Sequence, residues 1–102
     1  MAKLLVLYDP PKDPAAFETY YRDTHVPLAR KIAGVRRIEV SAGPVMSPQG
    51  PAPYHLVAEL SFDSMADLQA ALASPEGQAA AADLANFATG GVTLLTYDVR
   101  EP

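Results

Sequence analysis

The chain has no cysteine and no tryptophan, and only two of its 102 residues are histidine. Without a thiol there is no disulfide, no thiolate metal site and no cysteine nucleophile. Basic residues are scarce as well: eight Lys and Arg against twelve Asp and Glu give a net charge of −4. A chain of that sign gains nothing by neutralising phosphates, and its densest basic set is the scattered Arg30, Lys31, Arg36 and Arg37. Nucleic acid is therefore not an expected partner. Long apolar runs are missing too. The longest are strand-length, so no membrane association by a spanning helix is expected. The apolar part of "MAKLLVLYDPP" is too brief for a signal peptide and lacks a small-residue cleavage site. A cytoplasmic location is the default expectation.

What remains is enough for a single domain, 1–102, with one modest core. A domain this small buries little surface and gains from pairing with a second copy. "KLLVLY" (3–8) is apolar at successive positions, the pattern of a strand covered on both faces. "DPPKDP" breaks it. Asp13 then has the chemistry of an N-cap and Pro14 that of a first helical residue. Phe17, Tyr21, Thr24, Leu28 and Ile32 follow at spacings of four and three, one stripe of an amphipathic helix. Pro27 interrupts it, deleting one backbone hydrogen bond and crowding the carbonyl of Asp23. A kinked helix, or two short ones, is expected, with Gly34 as the stop.

Downstream, "VRRIEVSAG" alternates, and "GPVMSPQGPAP" (43–53), with four prolines, is expected to be a loop. In "YHLVAELSF", Tyr54, Leu56, Ala58, Leu60 and Phe62 share one face, and His55, Val57, Glu59 and Ser61 the other. Ser64 caps a helix carrying Met65, Leu68 and Leu72, while Ser74 and Pro75 start another that runs through Leu84 to Phe87 and ends at Gly90-Gly91. "VTLLTYDV" is the last strand. Strand, helix, strand, strand, helix, strand is the α+β order of the ferredoxin-like βαββαβ plait, an antiparallel four-stranded sheet with helices on one face. The apolar first strand needs cover on its other face as well. A second subunit offers it, giving a homodimer in the form of a dimeric α+β barrel. Arg37, Glu39, His55 and Glu59 would then face the space between the sheets and pair with one another.

"FETYYRDTHVPLARKIAGVRRIEV" and "LASPEGQAAAADLANFA" resemble the EthD family of the dimeric α+β barrel superfamily, which carries a similar F-x-x-Y-Y-x-x-T-H-x-P-L-A run and a similar S-P-E-G. The resemblance spans nearly the whole chain. It implies the plait and the dimer. For function it implies a range, because relatives in the superfamily include lactone isomerases, polyketide cyclases, cofactor-free monooxygenases, haem binders and proteins with no known catalysis.

His25 is the leading candidate for chemistry, since an imidazole titrates near neutrality and moves protons readily. Two roles are open to it: proton transfer or ligand contact in a cleft beside the kink, or a hydrogen bond to a freed carbonyl that secures the kink. Tyr20, Asp9 and His55 are candidate helpers. Tyr21 extends the apolar stripe, whereas Tyr20 points to a pocket edge, to solvent or to a dimer contact. Asp9 could orient His25, although capping of the turn in "DPPKD" is the plainer account of it. No H-x-x-H or E-x-x-H spacing suggests a metal, and a lone His25 is the only axial ligand a haem would find. Gly90-Gly91 precedes a strand, where a phosphate loop precedes a helix. No G-x-S-x-G elbow occurs. No cofactor is expected. Three functions follow from this reading: a cofactor-independent enzyme working by proton transfer, a non-catalytic carrier of a small hydrophobic metabolite for a partner oxygenase, or a structural or stress-type barrel with a filled interior.

Overall fold

In a computed structural model describing residues 1–102, strand β1 (Ala2–Tyr8) lies inside a four-stranded antiparallel sheet of order β2-β5-β1-β6. The partners are β2 (Arg37–Val40), β5 (Leu56–Phe62) and β6 (Val92–Asp98). Alternation decides which residues face the helices. Ala2, Leu4, Val6 and Tyr8 of β1 and Leu56, Ala58, Leu60 and Phe62 of β5 are buried. Lys3, Leu5 and Leu7 lie half-covered on the opposite side. This is the ferredoxin-like plait expected from the element order.

The helical layer consists of α1 (Pro14–Tyr20), a π-helical turn (Tyr21–His25), α2 (Val26–Arg30), α3 (Met65–Ala73) and α4 (Pro75–Phe87). Local chemistry starts α1, α3 and α4 where the sequence indicated. Asp13 accepts from the Ala16 N–H, Ser64 from the Asp67 N–H and Ser74 from the Gly77 N–H. The Ser74 hydroxyl also donates to the Ala71 carbonyl, so one side chain closes α3 and opens α4. Gly77 is held by packing as well as by capping, because a Cβ there would collide with the Ala71 carbonyl oxygen.

Three expectations need correction. The apolar stripe of the first helical run is Phe17, Tyr21, His25, Ala29 and Ile32, while Thr24 is exposed and Leu28 only half-buried. The π turn is the reason: the Val26 N–H bonds the Tyr21 carbonyl five residues back, and the wider turn rotates everything after it by one position. It sits directly before Pro27, and widening there moves the preceding carbonyls away from the proline ring. The helix also ends at Arg30, ahead of Gly34, whose φ of +91° serves the turn that follows. Finally, the proline-rich segment is not wholly loop. It holds a small hairpin, β3 (Met46–Ser47) and β4 (Gly50–Pro51), closed by the Ser47 hydroxyl on the Gly50 carbonyl.

Between the layers lies an aromatic cluster. Tyr8, Phe17, Tyr21 and Phe87 pack with ring centroids 5.2–5.9 Å apart. They bring β1, α1, the π turn and the end of α4 to one place, and that place holds His25.

Candidate functional site

Because the π turn puts position 25 on the buried stripe, the His25 ring is only 7% exposed. It packs 4.6 Å from the Phe87 ring and 5.7 Å from that of Tyr21. Its Nδ1 lies 2.9 Å from Oδ2 of Asp83, also 7% exposed, on α4. The other carboxylate oxygen, Oδ1, accepts from the Tyr20 hydroxyl at 2.6 Å and from Asn86 Nδ2 at 3.0 Å. Burial pushes the Asp83 carboxyl up, but hydrogen bonds from Tyr20, Asn86 and His25 outweigh it, and the group titrates below its ordinary value. At neutral pH it is a carboxylate, which can only accept. The Nδ1 of His25 therefore carries the proton, and in the neutral ring Nε2 is left with a lone pair. No protein group hydrogen-bonds Nε2, and no fully buried side-chain nitrogen or oxygen in the chain lacks a partner. Nε2 thus keeps access to open space.

Two hollows meet around Tyr21. An inner pocket of about 60 Å³ between the sheet and helices α2 and α4 is lined almost wholly by apolar side chains, with His25, Tyr8 and Tyr21 at its wall. An outer cleft of about 590 Å³ runs along the other side of Tyr21, between α1, α2 and β2. Tyr21, Val26 and Ile38 line both. Gly43 and Pro44, at the start of the proline-rich segment, line the outer cleft.

The structure joins His25 and Tyr20 through Asp83, a residue the sequence reading passed over. A signal for it was there: Asp83 is the one carboxylate on the face of α4 that carries Gly77, Ala80 and Phe87, all buried. Asp9 does not pair with His25. Its backbone N–H bonds the Gly91 carbonyl and its carboxylate sits beside Gly91. His55 departs from its expected place. The strand begins only at Leu56, so alternation does not govern residue 55. Its ring turns to the helices, 4.8 Å from Phe17 and with Nε2 2.9 Å from Glu18 Oε1, at the rim of the outer cleft. Arg37, Glu39 and Glu59 do share the open face, where Lys3 pairs with Glu59 at 3.1 Å and Arg37 with Glu39 at 3.9 Å.

A family model described as the EthD domain matches residues 9–91. The chain belongs to the EthD family. It is 46% identical over 98 residues to an uncharacterised 11.0 kDa protein from the thcB–thcC intergenic region of Rhodococcus erythropolis, covering 96% of this chain and 94% of that one. The crystal structure of an EthD family protein from Bacillus halodurans is similar over 98% of this chain and 99% of that one, with 37% identity and a TM-score of 0.89. A protein from Bacteroides fragilis, described as dimeric, of unknown function and ferredoxin-like, is 23% identical, covers 96% of this chain and 95% of its own, and has a TM-score of 0.65. That last likeness supports the fold. No helix of this EthD protein is long and apolar enough to cross a membrane.

Proposed function

We propose that this EthD protein acts on a small apolar molecule by proton transfer at His25, without a bound cofactor. The observation that carries the reading is the buried His25–Asp83 pair, in which Nε2 has no protein partner and His25 lines an apolar pocket. A buried carboxylate behind an imidazole fixes its tautomer and stabilises the imidazolium that forms when the ring takes a proton. Tyr20 and Asn86 hold the carboxylate, so they position the base and do not touch the ligand. An open cleft that shares Tyr21, Val26 and Ile38 with an inner apolar pocket favours a ligand over a purely structural barrel.

The same reading includes a homodimer closed over the open face of the sheet. Leu5 and Leu95 pair there across β1 and β6, and Leu95 and Tyr97 are 48% and 40% exposed. A monomer leaves that surface to water. The solved relative described as dimeric points the same way.

A long-range ¹H–¹⁵N spectrum of the histidine rings tests the base. The expected result for His25 at neutral pH is a ring protonated at Nδ1 and bare at Nε2. The opposite tautomer would leave Nε2 without a lone pair and would overturn the proton-transfer reading.

A further inference from the structure

The inner pocket is lined by a second residue whose polar group the fold leaves unused. Tyr8 is 1% exposed, and its hydroxyl has no hydrogen-bond partner in the protein. No fully buried side-chain oxygen in the chain is unpaired, so what little of Tyr8 stays accessible includes its hydroxyl. Tyr8 lines the inner pocket, as His25 does. Both rings pack on the same two neighbours, Tyr21 and Phe87, at centroid distances of 4.6–5.7 Å. Burial, reinforced by Tyr21 and Asp83, pushes the Tyr8 phenol well above its ordinary value. It is a neutral hydroxyl with a proton to donate.

The pocket's size limits what meets these groups. A volume of about 60 Å³ is well under the ~150 Å³ of a cavity that takes benzene. A whole ring does not fit, but a terminal group of two or three non-hydrogen atoms does. The outer cleft of about 590 Å³, which shares Tyr21, Val26 and Ile38 with the inner pocket, has room for the body of such a ligand.

We propose that Tyr8 and His25 together receive the carbonyl end of an apolar ketone, with the Tyr8 hydroxyl donating to the carbonyl oxygen and His25 Nε2 removing a proton from the adjacent carbon. The C–H bond breaks and its electron pair forms the C=C bond of the enolate. The carbonyl π pair moves onto oxygen, where the Tyr8 hydrogen bond meets the developing charge. His25 becomes an imidazolium beside the Asp83 carboxylate and returns the proton to carbon or oxygen. The step needs no oxidant, reductant or metal. It rests on the proton-transfer reading above and adds to it a substrate class and a second catalytic residue.

Acetophenone is a suitable probe, with an acetyl end of three non-hydrogen atoms on an apolar ring. Exchange of its methyl protons with D₂O, followed by ¹H NMR with the full-length protein, reads the step directly. The wild type is expected to accelerate exchange above the buffer rate, and His25→Gln to abolish the acceleration. Tyr8→Phe is expected to cut the protein-dependent rate by ~10²-fold. Its melting temperature should equal or exceed that of the wild type, because no hydrogen bond within the protein is lost. A Tyr8→Phe variant that keeps the rate while His25→Gln loses it overturns the role of Tyr8 and leaves His25 in place. A Tyr8→Phe variant that melts several degrees lower shows the hydroxyl serving the fold, which also overturns the proposal. Absence of acceleration by the wild type overturns the ketone assignment, while the tautomer spectrum decides the underlying reading independently.

Discussion

Replacing Asp83 tests whether the pair with His25 organises the site or merely fills space between two helices. The carboxylate is buried and accepts from three side chains: His25 at 2.9 Å, Tyr20 at 2.6 Å and Asn86 at 3.0 Å. Asp83→Ala strands those donors beside a cavity. Removing one member of a buried, hydrogen-bonded charge pair typically costs ~3–5 kcal/mol, and that is the loss expected here. Asp83→Asn keeps the shape and one acceptor oxygen but turns an NH₂ toward His25 Nδ1. The ring must then change tautomer, and with weaker neutral hydrogen bonds the loss is ~1–2 kcal/mol. Urea unfolding at one fixed protein concentration measures both, since a dimer's stability depends on concentration. The pH dependence supplies a sign. The folded-state value of Asp83 lies below its ordinary 3.8, so the folded chain binds fewer protons than the unfolded one near that pH. The stability Asp83 contributes is complete above the unfolded value and is lost as pH falls through the folded one. The gap between wild type and Asp83→Asn should accordingly narrow as pH falls below about 4. A loss under ~1 kcal/mol for Asp83→Ala would refute the reasoning, because it would mean that burying the charge cancels everything the three bonds contribute.

Gly77→Ala should destabilise the chain despite the better helix propensity of alanine, by ~1–3 kcal/mol, because the new methyl meets the Ala71 carbonyl oxygen; a thermal melt that rises would contradict the close packing of α3 and α4. Leu95→Asp, on the open face of the sheet opposite Leu5, should convert a sedimenting dimer into a 10.9 kDa monomer. A wild type that sediments as a monomer at micromolar concentration would count against the barrel.

The helix starts at Asp13, Ser64 and Ser74 were readable because capping depends on residues within one turn of each other. The β5 faces were readable for a similar reason, since alternation is set by the strand's own pleat. His25 stood out by residue type and by the run around it. Its surroundings did not, because the departure is one of geometry: the π turn at Tyr21–His25 moves the ring from beside the apolar stripe into it. The same limit explains His55. A period of two assigns a face only inside the strand, and the strand starts one residue later.

Element order, caps, the core face of β5 and kinship with the EthD family were determined by the sequence itself, through interactions that reach a few residues along the chain. Tertiary structure alone decided that Asp83 and not Asp9 stands behind His25, that Tyr20 holds Asp83, and that Tyr8 shares the pocket. His25 and Asp83 are 58 positions apart. They meet only because the π turn and α4 pack around Phe87 over the sheet, burying both groups where each becomes the other's necessary partner.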